Sequence, residues 1–241
     1  MKRIHQILQG KGGVGKSYIA SLLTQHYRSK GITPICIDTD PVNQTFAGYA
    51  EYKAAKLELM RDGNIDPRGF DQLVETITAA PDGTVFIVDN GAATFVPLCA
   101  WMVENDVANF FRDQGLEMVL HSVLTGGQAQ QDTMDGLDSV LSNFPTVPVV
   151  VWLNEFFGRV ERDGRKFEDS RLFKENKSKI HALIRIPEVR KETFGADLDQ
   201  MLRQKMPFSA VKEAADFSIM AKQRLAMTWR TLDAQMAAAN L

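Results

Sequence analysis

The feature that most constrains this chain is a glycine-rich octapeptide, GKGGVGKS, at residues 10–17. It matches the phosphate-binding pattern G-x-x-x-x-G-K-[ST] at every fixed position, and it directly follows an apolar-alternating run, RIHQILQ. The residues after it, YIASLLTQHY, have the periodicity of a helix. A strand, this loop and a helix in that order predict a P-loop that binds a nucleoside triphosphate, whereas a chance glycine-rich turn rarely has all of this context.

The residue types in the loop account for its predicted chemistry. Glycines let backbone N–H groups approach phosphate oxygens, and the N-terminus of the following helix favours negative charge. Lys16 is predicted to reach the β- and γ-phosphates and the Ser17 hydroxyl to bind Mg²⁺. A second lysine, Lys11, stands at the front of the loop. The predicted nucleotide-binding residues of this segment are Gly12, Gly13, Val14, Gly15, Lys16, Ser17 and Tyr18.

Length and composition agree with one intracellular nucleotide-binding domain. A chain of 241 residues is near the upper size of a single α/β domain, so we expect one P-loop domain over residues 1–241. The net charge of −2 indicates no general attraction to nucleic acid or membrane. Two cysteines make no disulfide framework and fit a reducing cytoplasm. We find no signal peptide and no apolar run approaching the ~20 residues of a membrane-spanning helix.

Alternating strand and helix patterns predict the fold class. Continuously apolar segments such as VFIVD and VVVWL are typical of strands buried on both faces of a parallel sheet. We therefore predict an α/β fold, a doubly wound and mostly parallel sheet with helices on both faces. The predicted strands are residues 2–9, 34–38, 84–89, 117–124, 148–153 and 181–186, with a weaker edge strand near 56–60. The predicted helices are residues 16–30, 67–79, 94–112, 128–142, 167–178, 193–205 and 209–237.

Polar residues, one glycine and one proline stand where the predicted strands end. Ligands in such sheets bind at the carboxyl ends of the strands, so these residues should surround the P-loop. They are Asp38, Asp40, Asp89, Asn90, Gly91, Asn154 and Pro187.

The motifs resemble those of a known superfamily. Lys11 together with Lys16 in KGGVGKS resembles the deviant Walker A motif of the ParA/MinD superfamily of P-loop ATPases, and the likeness continues through DTDP, VDNGA and Asn154. In finer detail the chain is similar to the TraL group of conjugative-plasmid transfer proteins. The segments that carry this likeness are LQGKGGVGKS, CIDTDPVN, VDNGA, TGGQA, VVWLN and MAKQRL.

The resemblance implies an ATPase whose dimerisation depends on nucleotide. Lys11 matches the signature lysine that reaches across a homodimer interface into the partner's nucleotide, and Lys16 matches the phosphate lysine. Asn154 matches the asparagine that recognises adenine, and Pro187 lies in a segment that packs near the base. ATP is also favoured because NKSK, at residues 176–179, lacks the aspartate of the guanine-reading N-K-x-D motif.

The resemblance also implies roles for the carboxylates. Asp40 matches the switch I aspartate that positions the attacking water, and Asp89 matches the Walker B aspartate that holds Mg²⁺ through water. The implied metal residues are Ser17, Asp40 and Asp89, the implied catalytic residues Lys11, Lys16 and Asp40, and the implied switch residues Asp38, Asn90 and Gly91. Two alternatives remain open: Asp38 as a support for its loop, and Asp40 as an Asx-turn before Pro41.

The chain departs from the superfamily pattern at two places. Asp89 is followed by Asn90-Gly91-Ala92, where many relatives have a threonine or serine and then prolines, and Ser17 is followed by Tyr18 in place of a second small hydroxyl residue. Neither change removes the predicted ATP site. Both leave the hydrolysis rate open, so we expect it to be slow or to need a partner.

Three other segments have two interpretations each. Thr125-Gly126-Gly127-Gln128 is either a second anion-binding nest or an ordinary tight turn. Residues 159–166 have four basic side chains against two acidic ones, which fits contact with DNA phosphates or a solvated loop. Apolar residues recur at helical spacing over 217–236, as expected for core packing or, with a richer basic face, for membrane binding.

The sequence therefore predicts an ATP- and Mg²⁺-binding, dimerising switch that acts with a conjugation or relaxosome protein in plasmid conjugal transfer. Two alternatives stay open. One is a P-loop enzyme or metal-cluster carrier, although Cys36 and Cys99 form no C-x-x-C or bridging pair. The other is a nucleotide-gated scaffold with little hydrolysis.

Overall fold

The chain folds around one sheet of seven parallel strands, described over all 241 residues in a computed structural model. In chain order the strands are β1 (Arg3–Ile7), β2 (Ile35–Asp38), β3 (Ala55–Lys56), β4 (Met60–Arg61), β5 (Asn64–Ile65), β6 (Val85–Asp89), β7 (Glu117–Thr125), β8 (Val149–Asn154), β9 (Glu161–Arg162), β10 (Arg165–Lys166) and β11 (Ile180–Ile186). The sheet order is β11-β8-β7-β1-β6-β2-β3, while β4–β5 and β9–β10 form two small antiparallel hairpins.

Nine α-helices cover both faces of the sheet. They are α1 (Lys16–Ser29), α2 (Gly69–Ala79), α3 (Phe95–Glu104), α4 (Val107–Asp113), α5 (Gln130–Asn143), α6 (Arg171–Asn176), α7 (Ala196–Arg203), α8 (Phe208–Val211) and α9 (Ile219–Ala238). Helices α2 to α6 pack in one hydrophobic core, and α1 with α7 to α9 pack in the other. The predicted doubly wound α/β class is confirmed.

The register of the central strands positions the loop that follows β1. Ile7, the last residue of β1, pairs with Asp89 on one side and with His121 on the other. Because these strands are parallel, their carboxyl ends meet at one edge of the sheet. The P-loop therefore leaves the sheet between the ends of β6 and β7.

Several predicted elements are shorter or interrupted. The helix expected at 94–112 divides into α3 and α4 at Asp106, whose φ of 49° lies in the left-handed region that aspartate tolerates. The helix expected at 167–178 becomes a 3₁₀ turn and then α6, because the Ser170 hydroxyl caps α6 by accepting from Phe173 N at 3.1 Å. The edge strand near 56–60 is only β3, followed by the β4–β5 hairpin.

The C-terminal half is also divided. The helix expected at 193–205 begins as a π-turn at residues 191–195, and the one expected at 209–237 divides into α8 and α9. The Ser218 hydroxyl caps α9 by accepting from Ala221 N at 3.2 Å. The apolar spacing predicted over 217–236 does pack in the core, through Phe217, Ala221, Leu225, Leu232 and Met236, while Trp229 is only partly buried. None of the helices combines the length and the apolar character that spanning a bilayer requires.

Candidate nucleotide-binding site

A cleft of about 550 Å³ opens at the carboxyl ends of the central strands. The P-loop forms one wall, and Asp40, Asn90 and Asn154 contribute from the ends of three strands. The rest of the lining includes Asn43 and Ala92, which stand in the predicted strand endings, and seven residues that the sequence did not indicate: Thr45, Tyr49, Phe156, Phe157, Leu198, Asp199 and Leu202. Thr45 and Tyr49 come from the segment after β2, Phe156 and Phe157 from the turn after β8, and Leu198, Asp199 and Leu202 from α7. No local sequence pattern reveals that these three segments meet.

The P-loop glycines adopt the conformations for which glycine is needed. Gly13 has a φ of 74° and Gly15 a φ of 103°, both in the left-handed region. A Cβ atom on Gly15 would lie only 2.8 Å from the side-chain nitrogen of Asn154. Gly15 also stands immediately before α1, so the first N–H groups of that helix point into the cleft. The loop thus has the backbone geometry that the predicted phosphate cradle requires.

Lys16 is held at the base of this cradle. Its ammonium group donates to the backbone oxygen of Lys11 at 2.8 Å, and the residue is only 8% exposed. Burial lowers the pKa of Lys16 from its ordinary value, although the nearby Asp89 and Asp40 act in the opposite direction. A phosphate arriving in the cleft would supply the negative charge that this buried cation lacks.

Asp89 is the buried carboxylate of the site. Burial raises its pKa to about 7, and the neighbouring Asp38 and Asp40 add to the rise, while Ser17 and Lys16 oppose it. One of its carboxylate oxygens, Oδ1, is buried without any hydrogen-bond partner. A buried polar atom left unpaired costs free energy, so it marks a place for a missing ligand. The donor set of Asp89 and Ser17 fits a hydrated Mg²⁺, which prefers oxygen ligands and keeps several of its waters.

The two carboxylates after β2 have different surroundings. Both oxygens of Asp38 accept backbone bonds, from Asp40 N at 2.9 Å and from Ala47 N at 2.8 Å, so Asp38 supports its loop. Oδ1 of Asp40 accepts from Val42 N at 2.8 Å and from Asn43 N at 3.0 Å, which is the Asx-turn expected as one alternative. Asp40 also lines the cleft, so the turn aims a carboxylate at it and does not exclude a second role.

The segment after β6 is anchored by one side chain and packed through another position. Asn90 donates to Ile7 O at 2.9 Å and accepts from the Thr39 hydroxyl at 2.8 Å, which ties β1, β2 and β6 together. A Cβ atom on Gly91 would lie 2.7 Å from Cγ of Asp40. Of the predicted switch residues, Asn90 is therefore held by hydrogen bonds on both sides. Gly91 allows the segment after β6 to lie in close contact with the segment after β2.

The structure brings Asn154 to the site but not Pro187. The Asn154 side chain donates to Val14 O at 2.8 Å and accepts from Phe156 N at 3.2 Å, so its amide already holds the P-loop backbone. Pro187 is absent from the cleft wall, where Leu198 and Leu202 of α7 lie instead. The place of Pro187 near the base therefore stays a prediction.

Lys11 points away from the cleft of its own chain. Its ammonium group forms an ion pair with Asp132 of α5 at 2.7 Å, and both side chains are about half exposed. The backbone of Lys11 meanwhile accepts the bond from Lys16. The Lys11 side chain is thus held at the surface by this one ion pair.

The remaining two predicted segments lie beside this edge of the sheet. A Cβ atom on Gly126 would lie 2.2 Å from Arg159 O, so Gly126 is close-packed in the turn before α5, whereas Gly127, with a φ of 72°, and Gln128 are exposed. Residues 159–166 include the β9–β10 hairpin, in which Arg162 donates to the Gln131 side chain; Arg159 pairs with Glu188. Cys36 and Cys99 are both buried and unpaired.

Comparison with known proteins gives relatives over the whole chain. The chain is 42% identical over 240 residues to a protein named Protein TraL from Escherichia coli, covering 99% of both chains. It is 44% identical over 237 residues to a second Escherichia coli Protein TraL, covering 98% of both. No protein-family model matches the chain.

Solved structures share the fold. The MinC:MinD cell division protein complex of Aquifex aeolicus has a chain that superposes with a TM-score of 0.55 at 18% identity, covering 95% of this chain and 94% of that one. The septum site-determining protein MinD from Pyrococcus horikoshii, solved with Mg-ADP, has a TM-score of 0.53 at 18% identity and 99% coverage of both chains. These likenesses show a MinD-type P-loop fold.

Proposed function

This chain belongs to the TraL family, and from that premise we propose that it is an ATP-binding switch that dimerises on ATP and acts in plasmid conjugal transfer. The observation that carries the proposal is the cleft after β1, where a glycine cradle and the buried ammonium of Lys16 stand together and the unpaired oxygen belongs to Asp89, which is buried next to Ser17 and Lys16. A magnesium nucleotide would satisfy all three. The transfer role follows from the TraL likeness of the motifs.

The residues divide the work of phosphate binding. The N–H groups of the P-loop and Lys16 would hold the β- and γ-phosphates, and Ser17 with Asp89 would hold the hydrated Mg²⁺. Bound Mg²⁺ supplies neutralisation of charge on the phosphate oxygens. Asn154 and the apolar wall of Phe156, Leu198 and Leu202 offer a surface for the base.

Lys11 would complete the site of a second copy. Its ammonium group cannot reach its own cleft while it is paired with Asp132, and a partner chain is the place where an exposed cation at the loop front would act. A cation supplied in trans increases hydrolysis by about 10³–10⁵-fold in other NTPases.

Asp40 has one oxygen, Oδ2, outside its Asx-turn, and that oxygen would orient the attacking water. Because the other oxygen of Asp40, Oδ1, already accepts two backbone hydrogen bonds, we propose that this chain hydrolyses ATP slowly.

A nucleotide-gated scaffold with little hydrolysis is the second candidate. It is favoured by the same Asx-turn, which keeps the Asp40 carboxylate engaged by Val42 N and Asn43 N. Measured turnover separates the two. A switch should hydrolyse ATP at a rate that rises with protein concentration, whereas a scaffold should bind ATP with no such rise.

The deciding experiment is light scattering on the wild type and Lys11→Ala, without nucleotide, with ADP–Mg²⁺ and with a slowly hydrolysed ATP analogue. We expect a dimer only for the wild type with the ATP analogue. Lys177→Ala, which removes an exposed lysine far from the cleft, is the matched control. A Lys11→Ala protein that dimerises normally and keeps full turnover would remove the in-trans role. A wild type that fails to bind a fluorescent ATP analogue would overturn the whole proposal.

A further inference from the structure

A second cleft, of about 510 Å³, lies away from the P-loop. It is bounded by the C-terminal half of α1, by α8 and by α9, and it shares no residue with the nucleotide cleft. Gln25, its first residue on α1, lies about 14 Å along the helix from Lys16. Whatever this cleft binds, it is not part of the phosphate chemistry.

The floor of the second cleft is aromatic and apolar. Phe208 and Tyr52 are nearly fully buried beneath it, and Trp229 is partly exposed on its side. The rings of Phe208 and Trp229 have centroids 5.6 Å apart. Partly exposed aromatic rings in a concave site are typical anchors for a large apolar side chain from a partner.

The rim of the second cleft is strongly basic. Four cations line it against a single carboxylate, Glu51. Arg28 donates to Glu51 O at 2.7 Å and lies 5.1 Å from the centre of the Tyr52 ring, so these two charges already face each other. The other three cations, Lys212, Lys222 and Arg230, form no ion pair. Asp216 interacts electrostatically with Lys222 from outside the cleft, so the rim keeps an excess of positive charge, and such an excess selects partners of the opposite sign.

Helix α9 extends this surface beyond the cleft itself. At 100° per residue, the core residues Ala221, Leu225, Leu232 and Met236 share one face, and the cleft residues Lys222, Gln223, Ala226, Trp229 and Arg230 share the adjoining face. Ile219, which is 85% exposed, lies on the cleft face one turn earlier. From Ile219 to Arg230 the face measures about 17 Å, which suits a peptide segment better than a small anion.

We propose that this cleft docks an acidic segment of a partner protein. One aromatic or large aliphatic side chain of the segment enters beside Phe208 and Trp229, and its flanking carboxylates face Lys212, Lys222 and Arg230. The proposal goes beyond nucleotide binding and does not depend on it, because the two clefts have no residue in common. The proposed partner site lies at the C-terminal end of α1, whereas the P-loop lies at its N-terminal end.

The test is selection of random dodecapeptides displayed on phage against the immobilised full-length protein. We expect enriched peptides to carry two or more acidic residues around an aromatic or large aliphatic one. A synthetic, fluorescein-labelled copy of the most enriched peptide is then titrated with the wild type, Lys222→Glu, Arg230→Glu and the double variant. Each single change should weaken binding about fivefold or more, and the double variant should abolish it. Lys177→Glu is the matched control and should bind as the wild type does.

Other outcomes would overturn the docking proposal. One is the absence of enrichment, and another is enrichment of peptides that lack acidic residues or bind the double variant equally well. A third is cosedimentation of the wild type, but not of the double variant, with phosphatidylglycerol vesicles in preference to the peptide. Binding of a fluorescent ATP analogue to the same variants should be unchanged. That measurement keeps a failure here distinct from a failure of the nucleotide proposal.

Discussion

Gly15 shows most directly how one residue type shapes the nucleotide cleft. Its φ of 103° and the position of the Asn154 amide, 2.8 Å from where a Cβ atom would lie, each exclude a larger residue. The glycine itself was predictable from the motif. The rule for strand ends also predicted Asn154 near the loop, but not the contact of its amide with Gly15, because that contact depends on packing between residues 139 positions apart in the chain.

Replacing Gly15 by alanine should remove nucleotide binding. The change adds about 1–2 kcal/mol of backbone strain in the left-handed region and pushes the Asn154 amide away from Val14 O. We expect binding of a fluorescent ATP analogue to weaken at least about tenfold, since 1.4 kcal/mol is one factor of ten. Gly31→Ala is the control, because Gly31 has a φ of 78° but nothing within 4 Å of the added carbon. Unchanged binding by Gly15→Ala would contradict the cradle.

Two buried histidines should make stability depend on pH. Trp152 can only donate, so its N–H to Nδ1 of His121 at 2.9 Å makes His121 Nε2 the donor to His5, at 2.8 Å. His5 in turn donates to the Tyr27 hydroxyl oxygen at 2.7 Å. Burial, assisted by neighbouring positive charge, lowers the pKa of His121 to about 3 and that of His5 well below its usual 6.5. Both rings therefore stay neutral in the folded chain.

The sign of the effect follows from proton uptake. Below pH 6.5 the unfolded chain binds protons that the folded chain refuses, so the free energy of unfolding falls as the pH falls toward 3. Each histidine adds a slope of about 1.4 kcal/mol per pH unit. The raised pKa of Asp89 has the opposite effect on the free energy of unfolding, so the test compares a variant with the wild type. His121→Gln should have a smaller slope of unfolding free energy against pH than the wild type, measured by urea unfolding between about pH 6 and 5. The exposed Lys177→Gln should keep the wild-type slope, and an unchanged slope in His121→Gln would refute the account.

Among the elements, strands were predicted better than helices. All six main strands lie within two residues of their expected bounds, because continuous apolar runs such as Val85–Asp89 leave little choice. The long helices were divided where short polar residues compete for the backbone, at Asp106, Ser170 and Ser218. The helical periodicity of apolar residues does not reveal such positions, because a single capping residue leaves the apolar spacing on either side almost unchanged.

Ser218→Ala should therefore destabilise the chain through α9. The loss of the bond from Ala221 N to the Ser218 hydroxyl costs about 1 kcal/mol, which lowers the melting temperature by about 2–4 °C in a chain of this size. Ser142, exposed at the end of α5 and without such a bond, gives the control substitution to alanine. Equal melting temperatures for the two variants would show that the cap contributes nothing.

For the molecule as a whole, the sheet order matters more than any single element. Placing β1 between β6 and β7 brings Lys16 and Asn154 to one cleft and buries Asp89 next to Lys16, as expected from the rule for strand ends. The second cleft could not be predicted. It exists only because α8 and α9 return to the C-terminal half of α1, a contact between segments more than 180 residues apart in sequence.

Assembly should respond to the contact that holds Lys11. If the proposed dimer uses Lys11 in trans, each chain must first give up the ion pair with Asp132. Asp132→Asn should then strengthen ATP-dependent dimerisation severalfold, because an exposed pair is weak but two are lost per dimer. Asp135→Asn, one turn along α5, is the control, and sedimentation velocity with a slowly hydrolysed ATP analogue is the measurement. Weaker dimerisation in Asp132→Asn would mean that the carboxylate supports the interface.

The contact between Gly91 and Asp40 has a practical consequence. No side chain separates the segments that follow β2 and β6, since a Cβ atom at position 91 would already lie 2.7 Å from Cγ of Asp40. Any larger residue at position 91 would separate the two segments sterically, by an amount that depends on the size of its side chain. A series of substitutions from alanine to valine at position 91 would increase the distance between the two segments stepwise. The size of the residue at this position therefore controls how closely the two loops approach each other.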